Sequence, residues 1–388
     1  MGYFDKRINR FNTGSYKYDR VKDTYPKANE ESIILTVADM DFKTSKYIIK
    51  SFKNLADFGI FGYMTSNTPY FYDSVRYYYK KRFNLEFNKD EIIYSNGAIS
   101  AIKAIIVNTT IEGDSIAISR PVYGHFTQLI EETNRKVVNI PLLNLNEEYS
   151  IDFESLKEKL SDENVKIYIL CSPHNPIGRV WAKDELEKII DICHETNTIL
   201  VSDEVHCDLI SKGNKHHPIL EVAKDYKNIV MINGLGKTFN LAGLHASYMI
   251  IKDKKLFNNI KINFDCDITP FALEGFKSAY SDKGLKYIEE VNNYIDKNYE
   301  FLVNFIRANL PKVKFARREG TYFVYLNFSY LNKTDEELEK LLYEDANVLM
   351  QEGVHHDPEN GKGYQRICIS LPQKELEEAL KRILKVIG

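Results

Sequence analysis

The sequence predicts an α/β fold, in which a large domain built on a mostly parallel sheet is joined to a smaller α+β domain. Short apolar runs alternate with helix-length amphipathic segments through much of the chain, and this alternation stops near residue 284. At 388 residues the chain is also longer than one ordinary hydrophobic core requires. We therefore expect two domains, one of them formed from both ends of the chain.

The sheet of the large domain is predicted from apolar runs that are rich in β-branched residues and end in polar or glycine-containing loops. These runs occupy residues 114–119, 165–171, 197–203, 228–233 and 246–251. Helical patterns separate several of them, and the clearest spans residues 183–196. Strands separated by helix-length segments need crossover connections, which favour a mostly parallel sheet covered on both sides.

The smaller domain is predicted from a different pattern near the end of the chain. A long amphipathic helix runs from residue 284 to Pro311, a strand-like segment follows at 321–328, and a further helix begins at a capping box of Thr334 and Glu337. The first 50 or so residues lack the alternation and are expected to pack against this unit. The predicted division is an N-terminal segment joining the small domain (1–50), a large domain (51–283) and a small C-terminal domain (284–388).

Composition excludes several classes of function. Hydrophobic residues make up 44% and charged residues 28%, and a formal net charge of −3 argues against a nucleic-acid-binding protein, which needs a basic surface. The start "MGYFDKRINR" has no signal-peptide core, and the absence of a run of about 18 apolar residues argues against membrane insertion, so we expect a cytoplasmic protein. Five cysteines without a CxxC pair predict neither a disulfide framework nor a metal site.

Polar side chains follow the predicted strands at the edge where open parallel sheets bind ligands. They are Tyr123, Asn175, Asp203, His206 and Lys237. A further predicted helix begins after Asn96 and Gly97, where the free N–H groups of Ala98 and Ile99 favour an anion. Each residue alone has an ordinary structural explanation, such as a helix cap or a turn. Together they bring an amine, a carboxylate, an amide, an aromatic ring and an anion site to one sheet edge.

This set of groups suits a pyridine aldehyde cofactor that carries a phosphate. Such a cofactor needs a lysine for its aldehyde, a carboxylate that keeps its ring nitrogen protonated, a donor at its ring hydroxyl, an aromatic face and an anion cradle. Lys237 has glycines at 234, 236 and 243 nearby, which leave room for a flat ligand. Asp203 is the natural partner of the ring nitrogen, because a charged pair in a dry pocket retains the proton.

Several longer motifs occur in order along the chain: "RFNTGSYKYD" (10–19), "VADMDF" (37–42), "GIFGY" (59–63), "PVYGHF" (121–126), "SPHNPIGRVW" (172–181), "SDEVHCDL" (202–209), "GKTFNLAGL" (236–244), "EGTYFVYL" (319–326) and "YQRICIS" (364–370). Together they resemble the MalY/PatB group of pyridoxal-phosphate-dependent carbon–sulfur lyases, within the fold type I, or aspartate aminotransferase-like, superfamily. The resemblance covers nearly the whole chain. It implies the fold type I architecture and pyridoxal 5'-phosphate as the cofactor.

The resemblance also implies a role for individual residues. Lys237 falls on the lysine that binds the cofactor aldehyde, Asp203 on the ring-nitrogen carboxylate, and Arg366 on the arginine that pairs with the substrate carboxylate. The other implied cofactor contacts are Tyr123 stacked on the ring, Asn175 and His206 at the ring hydroxyl, Ala98 and Ile99 at the phosphate, and Tyr63 at the phosphate of the neighbouring subunit. Ala38, Tyr123 and Asn175 are expected to join Arg366 in the substrate site. Because the resemblance places Tyr63 at the phosphate of the neighbouring subunit, a homodimer is expected.

The chain departs from the wider pattern at a few positions. Fold type I enzymes often carry serine or threonine where this chain has Gly234 and Gly236, so the Ala98 and Ile99 amides and Tyr63 are expected to carry more of the phosphate binding. Many aminotransferases have arginine where this chain has His245, and the MalY/PatB group tends to lack it, which favours a lyase. Thr36 stands where the group usually has tryptophan, so a reshaped substrate entrance is expected.

The implied reaction is β-elimination from an amino acid with sulfur on its β-carbon. Lys237 takes the α-proton, the thiol leaves, and pyruvate and ammonia are the final products. Cystathionine, cystine and cysteine conjugates form the substrate class. The alternatives are a class I/II aminotransferase, which shares the first steps, and a regulatory protein-binding role in addition to the enzymatic one.

Overall fold

The computed structural model describes residues 2–264 and 266–388 and confirms the α/β fold. The strands are β1 (Ile33–Ile34), β2 (Ile92–Ser95), β3 (Ser115–Ile118), β4 (Lys136–Asn139), β5 (Leu143–Leu145), β6 (Glu148–Ser150), β7 (Val165–Cys171), β8 (Ile199–Asp203), β9 (Ile229–Gly234), β10 (Ser247–Ile251), β11 (Lys314–Phe315), β12 (Phe323–Asn327), β13 (Val348–Leu349), β14 (Gln351–Glu352) and β15 (Tyr364–Cys368).

The helices alternate with the strands of the first sheet and dominate the end of the chain. They are α1 (Val21–Thr24), α2 (Lys46–Phe58), α3 (Pro69–Phe83), α4 (Ala98–Thr109), α5 (His125–Glu132), α6 (Phe153–Leu160), α7 (Lys183–Thr196), α8 (Ile219–Val222), α9 (Lys254–Lys261), α10 (Pro270–Ala279), α11 (Asp282–Asn309), α12 (Asp335–Glu339) and α13 (Gln373–Ile387). Short 3-10 turns lie at Lys89–Glu91, Ala242–Leu244, Ser329–Leu331 and Gly353–His355, and a π-helical turn at Lys340–Asp345 continues α12.

The main sheet has seven strands in the order β2-β10-β9-β8-β7-β3-β4. Strands β9, β8, β7, β3 and β4 pair in parallel, as predicted, whereas β10 is antiparallel to both of its neighbours. The reversal at β10 arises because β9 returns through the loop that carries Lys237 and a 3-10 turn, without a crossover helix. The predicted runs are confirmed as strands, with β7 matching residues 165–171 in full.

The sheet is buried on both faces. Alternate residues of β7 enter two different apolar cores: Ile167 and Ile169 pack with α4 on one side, and Tyr168 and Leu170 face the other. Helix α7 spans the predicted residues 183–196. Its apolar stripe is buried, as the sequence pattern predicted, at Leu186, Ile189, Ile190 and Cys193. The two-sided cover leaves the strand ends as the accessible part of the sheet.

The C-terminal region forms a second, antiparallel sheet in the order β11-β12-β15-β14, with α11 packed against α13. The predicted capping box is confirmed, since the Thr334 hydroxyl accepts the Glu337 N–H at 3.2 Å and the Thr334 N–H donates to the Glu337 carboxylate at 3.0 Å. Strand β1 pairs in parallel with β13, which joins the N-terminal segment to this region. The division of the chain at residues 50 and 283 stays a prediction. Within the described ranges, no helix is both long enough and apolar enough to cross a membrane.

Candidate active site

A cavity of about 450 Å³ lies at the carboxyl-terminal edge of the parallel strands. The predicted site residues that line it are Ala38, Ala98, Ile99, Tyr123, Asn175, Asp203, His206 and Lys237. Arg366 does not line the cavity itself, but it donates a hydrogen bond to Asn175, which does. Tyr63 is fully exposed on the surface of the chain. The structure therefore brings the predicted groups together, with Tyr63 apart from them, while their individual roles stay predictions.

Lys237 follows β9 and places its amine in the cavity. The ammonium Nζ donates to the carbonyl oxygen of Ala38 at 3.1 Å. Burial is the main cause that lowers the pKa of Lys237, and the cationic Arg366 lowers it further, while Asp203 and Asp39 act in the opposite direction. A lysine with a lowered pKa loses its proton more readily, and the neutral amine is the form that attacks an aldehyde or takes a proton.

Asp203 is the last residue of β8, and its carboxyl group is buried. The N–H of Val205 donates to its Oδ1 at 3.3 Å, and no described lysine or arginine forms a salt bridge with it, although the charge of Lys237 acts on it from a greater distance. Burial raises the pKa of Asp203 to about 6. Because a buried carboxylate without a cation is unfavourable, this position is suited to a ligand that brings a positive charge, such as a protonated pyridine nitrogen.

His206 lies on the cavity wall, edge-on to the ring of Tyr322 at a centroid distance of 5.3 Å. Its Nδ1 is buried without a hydrogen-bond partner among the described residues. Burial lowers the pKa of His206 well below its usual value, and the cations Lys237 and Arg366 lower it further. The imidazole is therefore neutral and keeps one ring nitrogen for a ligand.

Arg366, in β15, is buried with its guanidinium 4.0 Å from the centroid of the Phe323 ring. One terminal nitrogen donates to the Asn175 side-chain oxygen at 3.1 Å, and the other donates to the Thr36 carbonyl oxygen. Its Nε–H has no partner among the described residues. Burial lowers the pKa of Arg366 to about 10, so the side chain remains a cation at neutral pH and can pair with a carboxylate. Thr36 thus supports Arg366 through its backbone.

Tyr123 contributes the aromatic face of the site. Its ring stacks on that of His125 at a centroid distance of 4.9 Å and an interplanar angle of 15°, and both rings line the cavity. Burial raises the pKa of Tyr123 to about 12, so the phenol stays protonated at neutral pH. His125 was missed by the sequence reasoning, although it stands inside the quoted motif at 121–126.

The part of the cavity that is lined by the start of helix α4 is suited to an anion. Helix α4 begins at Ala98, directly after Gly97, whose φ of 100° belongs to the left-handed region that glycine adopts without strain. The first N–H groups of α4 have no partners within the helix and carry its positive dipole end. Ser100, His245 and Ser247 line the same cavity, and neither serine was predicted as a site residue.

A buried ion-pair cluster holds the segment that carries Ala38. Lys17 contacts Asp41 at 2.5 Å, and Arg10 contacts Asp41 at 2.8 Å and Asp39 at 2.6 Å. Lys17 is only 1% exposed, so these charges are largely removed from water. The N-terminal segment thereby fixes the Ala38 carbonyl, which also accepts a hydrogen bond from the Tyr322 hydroxyl at 2.8 Å. Single-residue reasoning missed this cluster, although the motifs at 10–19 and 37–42 contain its members.

Sequence comparison identifies the family. The profile of the aminotransferase class I and II family matches residues 30–383. The chain belongs to this family. Cystathionine beta-lyase PatB of Bacillus subtilis (strain 168) is 34% identical over 98% of both chains, which confirms the resemblance to the MalY/PatB group.

Two solved structures of the family share nearly the whole fold. A PLP-bound putative aminotransferase from Clostridium difficile 630 is 36% identical, with a TM-score of 0.94 over 99% of both chains. Cystalysin from Treponema denticola, which contains a pyridoxal 5'-phosphate cofactor, is 32% identical, with a TM-score of 0.94 over 100% of this chain and 99% of its own.

The residues of this family member fit pyridoxal phosphate on structural grounds. Among the described residues, the buried carboxyl of Asp203 has no lysine or arginine in a salt bridge with it and the Nδ1 of His206 has no hydrogen-bond partner, and the start of α4 lines the same cavity as Lys237. These are the groups that a ring nitrogen, a ring hydroxyl, a phosphate and an aldehyde require.

Proposed function

We propose that this protein is a pyridoxal-phosphate-dependent carbon–sulfur β-lyase, which converts an amino acid with sulfur on its β-carbon to a thiol, pyruvate and ammonia. The observation that carries the proposal is a cavity lined by Lys237, Asp203 and Asn175, in which the Lys237 amine has a lowered pKa and Asn175 accepts a hydrogen bond from the buried Arg366. The likeness to PatB, whose name is cystathionine beta-lyase, supports cystathionine and related sulfur amino acids as the substrate class.

Lys237 has two tasks in this proposal. Its amine would hold the cofactor aldehyde in the resting enzyme, and the same amine, once free and neutral, would take the α-proton of the substrate. Both tasks need the neutral amine, which burial and the cationic Arg366 favour. Pyridoxal phosphate, when bound, supplies an electron-withdrawing ring that accepts the electron pair left by this proton.

In this proposal Asp203 contacts the ring of the cofactor and Arg366 contacts the carboxylate of the substrate. The Asp203 carboxylate holds a proton on the ring nitrogen, and the buried position keeps water from competing for it. Arg366 binds the substrate α-carboxylate through its N–H groups, and Asn175 fixes the guanidinium by accepting from it at 3.1 Å. Loss of the α-proton at Lys237 then leads to departure of the β-thiol.

The runner-up is an aminotransferase that uses the same residues up to the removal of the α-proton. It is favoured by the similarity to the putative aminotransferase from Clostridium difficile 630. The lyase is preferred because His245 takes the place of an arginine that many aminotransferases carry, and because PatB aligns with nearly the full length of the chain.

A pyruvate assay separates the two reactions. The purified enzyme, loaded with pyridoxal phosphate, is incubated with cystathionine, cystine or a cysteine conjugate, with no keto acid added. We expect pyruvate, ammonia and the sulfur leaving group, which is a thiol or, from cystine, a persulfide, in equal amounts. Transfer of the amino group to an added keto acid, with no pyruvate formed, would establish the aminotransferase instead.

The proposal includes a homodimer in a cytoplasmic location. The end of α2 and the segment after it expose the large apolar side chains of Phe58, Ile60, Phe61 and Tyr63. Such a cluster favours burial against another chain. A second copy that covered it could receive Tyr63 at its phosphate end, which would explain why this residue stands apart from the cavity of its own chain.

A further inference from the structure

The loop before Lys237 carries no hydroxyl, because glycine occupies both position 234 and position 236. The neighbouring strand places one there instead. In the antiparallel pairing of β9 and β10, Ser247 lies directly opposite Gly234. A Cβ atom built on Gly234 would lie 2.4 Å from the Ser247 Oγ, so the serine hydroxyl fills the space where a side chain at position 234 would begin.

The Ser247 side chain lines the cavity, and its hydroxyl has no hydrogen-bond partner among the described residues. The residue is only 6% exposed, and it lines the cavity together with Ala98, Ile99 and Ser100 of the first turn of α4. A hydroxyl on a cavity wall that bonds to no other side chain is free to donate to a ligand. The free N–H groups at the start of α4 make an anion the suitable ligand.

His245 lies at the same end of the cavity. Its Nδ1 is 3.8 Å from the position of a Cβ atom built on Gly97, the residue that precedes α4. The imidazole therefore stands beside the entrance to the helix, where a hydrogen bond to an anion is available. Helix amides, a hydroxyl and an imidazole thus line the same cavity as Lys237.

We propose that the Ser247 hydroxyl binds the phosphate of pyridoxal phosphate and replaces the hydroxyl missing at positions 234 and 236. The expectation that the Ala98 and Ile99 amides and Tyr63 compensate without another hydroxyl would then be wrong. This proposal concerns cofactor binding alone, which a lyase and an aminotransferase share. Its test is therefore independent of which of the two reactions the enzyme performs.

The two glycines differ in what they can accommodate. A Cβ at Gly234 would also lie 2.6 Å from the backbone oxygen of Ala246, so a serine there is excluded by the strand itself. A Cβ at Gly236 would lie 3.4 Å from the Cα of Ala242, which is an ordinary contact. Gly236→Ser is therefore the tolerated way to restore a hydroxyl to this loop.

The test measures the binding of pyridoxal phosphate and of pyridoxal, which lacks the phosphate, to the cofactor-free protein by absorbance. Ser247→Ala should weaken pyridoxal phosphate roughly tenfold, as expected for loss of a hydrogen bond to a charged group, and should leave pyridoxal unchanged. Adding Gly236→Ser to Ser247→Ala should recover most of the loss. Ser119→Ala is the matched control, since Ser119 is a buried serine at the end of β3 whose hydroxyl bonds to Tyr168.

An unchanged affinity for pyridoxal phosphate in Ser247→Ala would overturn the proposal, and so would an equal loss for both ligands, which indicates a distorted cavity. If Ser247→Ala does not fold, the affinity of the Gly236→Ser variant of the otherwise native chain tests the proposal instead. With a hydroxyl already present at Ser247, it should change the affinity for pyridoxal phosphate less than about threefold. A tenfold gain would contradict the proposal, because it would show that the native site lacks a hydroxyl.

Discussion

At the scale of single residues, the site is built from groups whose charged forms are disfavoured until a ligand arrives. Burial lowers the pKa of Lys237 and raises that of Asp203 to about 6. Both residues could be predicted because they lie at or just beyond the carboxyl ends of apolar strands, and polar residues at that edge indicate a ligand site. Ser247 could not be predicted in the same way, since its place opposite Gly234 depends on the antiparallel pairing of β10.

Asp203 predicts a specific dependence of stability on pH. Its pKa is raised from 3.8 to about 6 in the folded protein, so the cofactor-free protein loses stability as the pH rises from about 4 through 6. The Asp203→Asn variant has no carboxyl group to ionise at this position, so it should not show this loss of stability. At pH 8 the cofactor-free variant should be more stable than the native chain by about 3 kcal/mol, and near pH 4 the two should agree.

Urea unfolding of both cofactor-free proteins at pH 4 and pH 8 measures this difference. The same variant should bind pyridoxal phosphate more weakly than the native protein, because it offers no charge to the ring nitrogen. A stability difference that does not change with pH would show that the buried carboxyl of Asp203 is not the cause.

At the scale of elements, the N-terminal segment is fixed to the site by a buried group of charges, in addition to the pairing of its short strand β1 with β13. Burial opposes the charge on Lys17, but Asp41 and Asp39 outweigh this effect and raise its pKa above the usual value. The long helices and parallel strands could be predicted from apolar periodicity, but this cluster could not. Its partners are distant in sequence and leave no periodic pattern.

Lys17→Met tests this attachment. It leaves Asp41, which is 4% exposed, with Arg10 as its remaining partner, and should lower the free energy of unfolding by about 3 kcal/mol. Arg20→Met is the control, because Arg20 and Asp23 form an exposed pair at 66% and 64% exposure and should contribute little. Urea unfolding gives both values. Equal, small effects of the two variants would contradict the account of a buried cluster.

At the scale of the whole molecule, the proposed homodimer links the exposed segment after α2 to the cavity of a second copy. The order of the elements and the position of the cavity could be predicted from one chain. The contribution of Tyr63 could be predicted only from the resemblance to a family, because this residue makes no contact with the cavity of its own chain.

A hybrid dimer tests the shared site. One subunit carries Lys237→Ala and the other carries Tyr63→Ala, and the two are separated from the homodimers by different affinity tags. If Tyr63 serves the partner's cavity, the hybrid contains one intact site and should show about half of the native turnover, although each parent dimer is nearly inactive. A hybrid no more active than the Tyr63→Ala dimer would place Tyr63 outside the shared site.

The central claim is that Lys237 is the residue that binds pyridoxal phosphate and performs the chemistry. Borohydride reduction of the loaded protein, followed by proteolysis and mass spectrometry of the peptides, tests it most directly. We expect the reduced cofactor on the peptide that contains Lys237, and no label in the Lys237→Ala variant, which should keep its fold and lose turnover. A label on a different lysine, or a protein that takes up no cofactor, would contradict the claim.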